Sequence, residues 1–232
     1  MHHMYAVGLD VSLNQLDFLC LAALTGFPII LIPNSKGYSI GEIREILFGS
    51  ILGDGTLEFL GSNARFGFVQ SIIHKSYFLF LYSIFKNYCG SPYRTSDYFD
   101  PRTRKTYTSL SFSTLASMLF TEFYFMFYVN GIKLIPTDLS LLTPLALAHW
   151  IMQDGSNGSS GGLYLCTDSF TPEDTKRLAL FLATKYSLKV TTPKAPGKKG
   201  ALRIYVWVQS INTLRSLVLT HMHPSMMYKL GV

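Results

Sequence analysis

The chain has 232 residues, 48% of them hydrophobic and 15% charged, a composition that supports a sizeable core and excludes an intrinsically disordered protein. Its cysteines, Cys20, Cys89 and Cys166, are odd in number and no pair has metal-ligand spacing, which excludes a disulfide framework and a zinc ribbon. We interpret them as reduced thiols in a reducing compartment. The net charge of +6 favours a polyanionic partner.

Residues 1–38 are predicted to form an N-terminal arm that packs on the rest of the chain. The segment from Phe18 to Pro33 is strongly apolar, but Gly26 and Pro28 interrupt it, so it is too short and too broken to span a bilayer. It also lacks the basic start of a secretory signal. The sequence therefore predicts no membrane partner.

Helical and strand patterns alternate after the arm. A helix is predicted from Ser39 to Leu52, opened by a capping box in which Glu42 stands three residues after Ser39. The elements predicted next are strands at Thr56–Leu60 and Arg65–Ser71, a helix at Lys75–Tyr88, hairpin strands near Tyr93–Tyr98 and Tyr107–Phe112, and a helix at about Thr114–Tyr128.

The same order of elements recurs in the remainder of the chain. Thr143-Pro144 opens a predicted helix that runs to Gln153, with proline in the first turn, where its missing N–H does no harm. A repeat this long indicates a duplicated half-domain. The elements that follow are a Gly/Ser-rich loop at Gly155–Gly162, a strand at Leu163–Asp168, a helix at Pro172–Tyr186 capped by Thr171, hairpin strands at Leu188–Thr192 and Leu202–Val208, and a helix from near Ser210.

The helix that opens each repeat is apolar and ends in the same dipeptide, Asp54-Gly55 in the first and Asp154-Gly155 in the second. A carboxylate at this end opposes the negative pole of the helix dipole, so something must offset its cost, and a divalent cation is the obvious candidate. The glycine after it is predicted to close the helix with a positive φ. One such turn is common, whereas two copies in parallel surroundings favour a functional pair.

Further positions are shared between these two helices. The first has Leu47, Gly49, Ile51, Asp54 and Gly55, and the second has Leu147, Ala148, Ile151, Asp154 and Gly155. The pair resembles the motif helices of the LAGLIDADG homing endonucleases of the single-chain type, which carry two motif copies. The resemblance covers residues 39–232 and implies an α+β fold. Two pseudo-symmetric αββαββα halves, 39–136 and 137–232, would form a DNA-binding saddle of antiparallel strands with two central packed motif helices.

The resemblance implies a site-specific DNA endonuclease, a monomer that makes a staggered double-strand break at a long asymmetric target in double-stranded DNA. The alternative is an intron-encoded maturase that binds intron RNA and aids splicing, and a non-catalytic DNA-binding protein is the third. Retention of Asp54 and Asp154 favours the nuclease, because neither RNA chaperoning nor DNA binding needs a metal centre. A host that carries mobile introns implies a mitochondrion or a chloroplast.

By the same resemblance, Asp54 and Asp154 are the metal ligands, and the expected metal is Mg²⁺. This cation retains waters and takes few protein carboxylates, which suits so sparse a site. The main-chain carbonyls of Gly53 and Gln153 are candidate further ligands.

Four other side chains are expected near the two centres. Lys133 and Lys229 match the basic residues of the family and are expected to orient water or stabilise developing charge. Gln70 and Asp168 are expected at the ends of matching strands. Asp168 departs from the glutamine that the family often has there, and it is expected to hold a base edge, a metal-bound water or Lys229.

Small residues on the first motif helix predict a close contact with the second. Gly49 and Gly53 lie four residues apart, on one face of the helix. The matching residues of the second helix, His149 and Gln153, are larger and are expected to fill the notch. We interpret His149 as a packed core histidine rather than a catalytic one.

The hairpins are expected to enter the major groove of DNA, since a two-stranded ribbon fits it. Arginines there can read guanine, whereas lysines in the turns are expected to contact phosphates. Two matched basic clusters favour this interpretation over ordinary charged hairpin tips. They are Arg94, Arg102, Arg104 and Lys105 on the first hairpin, and Lys194, Lys198, Lys199 and Arg203 on the second.

Overall fold

Helices and strands alternate along residues 37–232, the part of the chain that the computed structural model describes. The predictions for the N-terminal arm and for Cys20 lie outside the described residues. Within this part, no helix has the length and apolarity needed to cross a membrane. The elements are α1 (Ile40–Leu52), β1 (Thr56–Phe59), β2 (Ala64–Ser71), α2 (Lys75–Phe85), β3 (Arg94–Asp100), β4 (Lys105–Ser113), α3 (Met118–Phe127), β5 (Tyr128–Val129), β6 (Ile132–Lys133), α4 (Pro144–Asp154), β7 (Gly155–Asn157), β8 (Leu163–Leu165), α5 (Pro172–Tyr186), β9 (Val190–Thr191), β10 (Ile204–Val206) and α6 (Ile211–Val218).

The predicted α+β class is confirmed, and so is the order helix, strand, strand, helix, strand, strand, helix in both repeats. We call the elements from α1 to α3 the first half and those from α4 to α6 the second half. The capping box of α1 is also confirmed, because Glu42 N–H donates to Ser39 Oγ (3.2 Å) and Ser39 N–H donates to Glu42 Oε2 (2.8 Å). Thr143 and Thr171 cap α4 and α5 through their hydroxyl groups.

Several predicted boundaries are wrong. The strand predicted to run from Leu163 to Asp168 ends at Leu165, and two further differences have a clear cause. The third helix begins at Met118 rather than near residue 114, because the N–H of Ser117 donates to the carbonyl oxygen of Ala64 (3.0 Å) and ties this stretch to β2. Residues Gly155–Asn157 were expected to open a loop but form β7, which pairs with Leu163–Leu165. In both cases hydrogen bonds to a distant strand override the local composition.

Each half contains a four-stranded antiparallel sheet, in the order β1-β2-β4-β3 in the first and β7-β8-β10-β9 in the second. One face of each sheet packs on helices. The first half fills this layer with aromatic rings such as Phe66, Phe68 and Phe112, and the second half with aliphatic side chains such as Leu165 and Ile204. The opposite faces are open, as the predicted saddle requires.

The strand register shows which positions of the two sheets are equivalent. Gly155, which follows the second motif aspartate, pairs with Leu165. In the first half Thr56 pairs with Gly67, so Gly55 stands opposite Phe68. Phe68 and Leu165 are therefore equivalent, and the neighbouring positions follow by counting along each strand.

The motif helices α1 and α4 lie side by side in the core. From Ile46 to Leu52 every residue of α1 is buried, and so is every residue of α4 from Leu145 to Gln153. A helix buried on all sides is expected to be mainly apolar, and these stretches are, apart from Ser50, His149 and Gln153. A Cβ atom on Gly49 would lie 2.0 Å from the carbonyl oxygen of Ala146, so the two backbones touch there.

The predicted notch exists, but His149 does not fill it. The backbone of Ala146 faces Gly49, while Gln153 fills the space at Gly53, where an added Cβ would lie 2.6 Å from Gln153 Oε1. The His149 ring is fully buried against the ring of Phe80, with centroids 6.0 Å apart. Burial lowers the pKa of His149 to about 3, so this histidine is neutral and packed in the core.

The expectation that Gly55 and Gly155 adopt a positive φ is wrong. Gly155 has a φ of −70° and a ψ of 142°, and neither residue is among the described glycines in the left-handed region. A Cβ atom on Gly55 would lie 2.6 Å from the carbonyl oxygen of Ser50, and one on Gly155 would lie 2.5 Å from that of Ile151. Close contact with the preceding helical turn therefore requires glycine at these positions.

The connector between the halves is held by one arginine. Arg177 of α5 donates to the carbonyl oxygens of Ile135 (2.7 Å) and Pro136 (2.5 Å) and pairs with Asp174 (2.7 Å). The connector directly follows β6, which carries Lys133. This clamp therefore fixes the chain just beyond a candidate site residue.

Gly49→Ala is expected to lower the free energy of unfolding by about 3 kcal/mol, because the new methyl group would overlap the Ala146 backbone and force the motif helices apart. Gly41→Ala is the matched control in the same helix, at an exposed position where a Cβ atom meets only Ser39 Oγ at 3.8 Å. This control should gain up to about 1 kcal/mol. Urea denaturation followed by circular dichroism measures both, and equal effects would contradict the helix contact.

Candidate active site

The motif aspartates meet where α1 and α4 end. Asp154 is the last residue of α4, whereas Asp54 lies two residues beyond the end of α1. The Gln153 side chain joins the two ends: its Oε1 accepts the Asp54 N–H (2.9 Å), and its Nε2 donates to Ser50 Oγ (3.1 Å) and Tyr77 Oη (2.9 Å). The residue next to one aspartate thus fixes the backbone of the other.

The two carboxylates act on each other electrostatically. Burial, reinforced by the negative charge of Asp54, raises the pKa of Asp154 to about 7. Burial by surrounding groups also raises the pKa of Asp54, although its side chain remains solvent-accessible. Within residues 37–232 neither carboxylate forms an ion pair at 4.0 Å or less. A bound cation would therefore stabilise both charges.

The predicted lysines lie beside these carboxylates but bind carbonyl oxygens. Lys133 Nζ donates to the carbonyls of Gly53 (3.3 Å) and Gly55 (3.2 Å), and Lys229 Nζ donates to that of Gln153 (2.7 Å). Burial lowers the pKa of Lys133 to about 8 and also lowers that of Lys229, while both aspartates oppose these shifts. The parallel placement expected for Lys133 and Lys229 is thus present in space.

The donor set fits a divalent cation bound by few protein ligands. Among residues 37–232 no group of three or more His, Cys, Asp or Glu side chains is placed to hold a metal. The available donors are the carboxylates of Asp54 and Asp154 and the carbonyls of Gly53 and Gln153, which also accept hydrogen bonds from the lysines. Mg²⁺ suits this set, because it keeps several waters and needs one or two carboxylates.

Gln70 and Asp168 are not equivalent. Gln70 Nε2 donates to Asp54 Oδ2 (3.3 Å) at the first centre. Asp168 lies three residues beyond β8, and its carboxylate is bound by Arg203 through two hydrogen bonds of 2.8 and 2.7 Å. By register, Gln70 corresponds to the buried Thr167. The expected contact of Asp168 with Lys229 is replaced by this pair with Arg203, which lowers the pKa of Asp168.

Sequence reasoning missed His74, which lies in the short 3₁₀ turn before α2. Its ring stacks on Tyr228, with centroids 6.5 Å apart, and its charge is coupled to those of Asp54 and Lys229. Burial, followed by the charge of Lys229, lowers the His74 pKa. The sequence offered one local signal for a role of His74, its position four residues after the candidate site residue Gln70.

The basic hairpin residues divide into free and engaged side chains. Arg102 pairs with Asp100 (3.3 Å), Lys198 Nζ donates to the main-chain carbonyl of Asp168 (2.6 Å), and Arg203 donates to the carboxylate of Asp168. The others are exposed on the hairpins: Arg94, Arg104, Lys105, Lys194 and Lys199. Arg102 and Lys198 are exposed as well, so seven of the eight predicted positions offer an accessible positive charge.

Comparison with known proteins places this geometry in a family. The sequence model described as the LAGLIDADG DNA endonuclease family matches residues 44–214, from α1 into α6. The chain belongs to this family. The homing endonuclease I-WcaI bound to its DNA recognition sequence has the same fold, with a TM-score of 0.75 at 24% identity, over 90% of this chain and 96% of that one.

Curated LAGLIDADG relatives carry names of two kinds. Cytochrome b mRNA maturase bI2 of Debaryomyces hansenii is 36% identical over 196 residues, which cover 82% of this chain and 74% of the relative. The maturase of the same name from Saccharomyces cerevisiae is 35% identical over 201 residues, 82% of this chain but only 47% of the relative's length. DNA endonuclease I-ChuI of Chlamydomonas applanata is 29% identical over 204 residues, 81% of this chain and 94% of that protein.

Gln153→Leu is expected to lower the free energy of unfolding by about 2 kcal/mol, because the Asp54 N–H and the Ser50 hydroxyl lose a buried partner. Gln209→Leu, at an exposed position before α6, is the control and should change stability by less than about 0.5 kcal/mol. Urea denaturation measures both variants. If Gln153→Leu is as stable as the control, the side-chain bridge between the motif helices does not contribute.

Asp154→Asn is expected to stabilise the protein at pH 8 by about 2 kcal/mol in EDTA, a value reduced for solvent screening. The folded-state pKa of about 7 lies above the usual 3.8, so ionisation of Asp154 costs stability as the pH rises through about 7. The advantage of the variant should vanish near pH 4. Urea denaturation at both pH values, with the exposed Glu173→Gln as control, measures it, and an advantage independent of pH would contradict this origin.

Proposed function

We propose that this chain is a site-specific, metal-dependent DNA endonuclease that makes a staggered double-strand break. The observation that carries the proposal is the meeting of Asp54 and Asp154 at the ends of two packed helices, with Lys133 and Lys229 beside them. Membership of an endonuclease family supports it. A maturase without catalysis would have no use for two carboxylates that raise each other's cost of burial.

Asp54 and Asp154 are the proposed ligands of Mg²⁺, together with the carbonyls of Gly53 and Gln153. When bound, the cation would polarise the scissile phosphate and lower the pKa of a water. The absence of basic ion-pair partners for both carboxylates, within the described part of the chain, supports this assignment.

Lys133 and Lys229 are proposed to stabilise the charge that develops on the leaving oxygen or to orient the attacking water. Their contacts with helix-end carbonyls support this role, because these contacts hold each ammonium group next to a carboxylate pair. Gln70 is proposed to position Asp54, to which it donates. Asp168 is proposed to act through Arg203, so the two centres differ.

Double-stranded DNA is the proposed partner of the two open sheet faces. The exposed Arg94 and Arg104 are candidates for base contacts, and Lys105, Lys194 and Lys199 for phosphate contacts. Arg102, Lys198 and Arg203 already bind acidic or carbonyl groups and are proposed to reach phosphates with their remaining donors. These residues lie on or next to antiparallel two-stranded ribbons, and a ribbon of this kind fits the major groove of DNA.

We further propose that the protein works as a monomer of two halves, 39–136 and 137–232, on a long asymmetric site. One chain supplies both motif aspartates, and the two sheet faces differ, which supports unequal half-sites. Relatives named for cytochrome b mRNA support a host with mobile introns, in a mitochondrion or chloroplast. The same names favour a second candidate function, a maturase that binds intron RNA.

Asp54→Asn and Asp154→Asn are each expected to reduce double-strand cleavage by at least a hundredfold while changing DNA affinity less than about threefold, since they remove a metal ligand and no phosphate contact. The substrate is the duplex selected by cleavage from a randomised library in Mg²⁺. Asp138→Asn, at an exposed position of the connector, is the control and should cleave normally.

Full cleavage by either active-site variant would refute the assignment. Intron splicing that survives both substitutions, without cleavage of any duplex by the wild type, would support the maturase instead. Light scattering of the complex tests the stoichiometry, and two chains per duplex would refute the monomer.

A further inference from the structure

An aromatic row crosses the open face of the second sheet. Tyr164 of β8 pairs with Tyr205 of β10, with ring centroids 4.6 Å apart, and Trp207 follows at 6.1 Å from Tyr205. Tyr164 also pairs with Ser156, only two residues after Asp154. The row therefore begins beside the second proposed hydrolytic centre.

The rings of this row are held in place. The Tyr205 hydroxyl lies 2.6 Å from Ser160 Oγ, and Trp207 Nε1 donates to Thr191 Oγ1 (3.2 Å). A Cβ atom on Gly162 would lie 2.3 Å from the Tyr205 hydroxyl, so the loop before β8 packs directly on this ring. Rings that are already ordered lose little conformational entropy when they bind a partner.

The first sheet has no such row at the equivalent positions. By strand register, the positions equivalent to Tyr164 and Tyr205 are Gly67 and Ser113, which pair with each other. The next pair along the same face, Val69 and Ser111, stands opposite Arg94. Beside the two centres the open faces thus offer different chemistry, small hydroxyl groups with an arginine in the first half and aromatic rings in the second. The exposed rings on the same face of the first sheet, Tyr98 and Tyr107, pair with each other farther away, near the hairpin turn.

The rings are tilted against one another, and two of them are partly covered by neighbouring groups. Lys189 Nζ lies 4.5 Å over the Trp207 ring, and the loop at Gly162 contacts Tyr205. The Tyr164 and Tyr205 planes are inclined at 41°, and those of Tyr205 and Trp207 at 59°. Unpaired bases need an open ring face for stacking, so this arrangement favours the groove of a duplex over single-stranded RNA.

We propose that the row of Tyr164, Tyr205 and Trp207 determines specificity by contacting the 5-methyl groups of thymines in the half-site that the second sheet binds. Thymine is the base that shows a methyl group in the major groove, where apolar side chains recognise it. Because the row starts two residues from Asp154, these thymines lie within about four base pairs of the cut. The inference rests on the proposed endonuclease function.

The test uses the wild-type protein and the duplex selected by cleavage. Each thymine near the cut is replaced, one at a time, by deoxyuridine, which removes only the methyl group and keeps the base pair. At one or two positions we expect affinity to fall about fourfold, the effect of one buried methyl group. Substitution of thymines elsewhere in the site should leave affinity unchanged.

Variants of the row then connect the methyl groups to the rings. Tyr205→Ala and Trp207→Ala should bind the thymine duplex several-fold less tightly and no longer distinguish deoxyuridine from thymine. Ser113→Ala, at the equivalent position of the first sheet, should keep the full discrimination. The deoxyuridine series on the wild type requires no variant, so it decides the matter even if Tyr205→Ala fails to fold.

A selected duplex without thymine near the cut in either half-site, or with thymines that deoxyuridine replaces without effect, would overturn the inference alone. Discrimination that persists in both ring variants would overturn it as well. Tight binding of oligouridine RNA that depends on Trp207 would replace it with an RNA surface. Recovery of no cleaved duplex would instead refute the endonuclease function on which it rests.

Discussion

The backbone contact between Gly49 and Ala146 determines the geometry of the candidate site. Because the two motif helices touch at this point, their C-terminal ends arrive together and the Gln153 side chain can reach the N–H of Asp54 at 2.9 Å. A side chain at residue 49 would separate the helices by the width of a methyl group. The spacing of two aspartates therefore depends on a residue that has no side chain at all.

The charges of Asp54 and Asp154, once the helix ends have met, lower the stability of the fold. Two carboxylates disfavour each other's ionisation, and the two nearby lysines, which donate their hydrogen bonds to carbonyl oxygens, offset this cost only in part. The stability must come from elsewhere, from fully buried motif helices and from aromatic packing around Phe66 and Phe112. Proteins commonly place the groups needed for activity in unfavourable surroundings, and the core in another part of the fold then supplies the stability.

Local signals were sufficient for most of the individual helices and strands, whereas the saddle and the central pair of motif helices followed from the family resemblance. The capping box at Ser39 and the helix start at Thr171-Pro172 depend on hydrogen bonds between residues three positions apart. Such short spacings can be read directly from a sequence. The repeated Asp-Gly ends marked Asp54 and Asp154 for the same reason. These features could be predicted because cause and effect lie close together in the chain.

Most of the misses involve distant partners. Asp168 is bound by Arg203, 35 residues later, and β7 exists because a strand beyond the Gly/Ser loop pairs with it. The glycines of the Asp-Gly turns were correctly singled out, but for the wrong reason, since the close contacts of Gly55 with Ser50 and Phe66 depend on packing. His74 stacks on Tyr228, which lies 154 residues later in the chain.

Gly53 and Gln153 occupy matching positions of the two motif helices but differ in size, and this difference limits how the two halves can be exchanged between proteins. A symmetric ancestor would place the same residue at both positions, either two glycines, with nothing to bridge the helix ends, or two glutamines competing for one space. The halves have thus become complementary rather than interchangeable. Anyone who exchanges one half for that of a relative, to combine two target preferences, must transfer a matching small and large residue across the new junction.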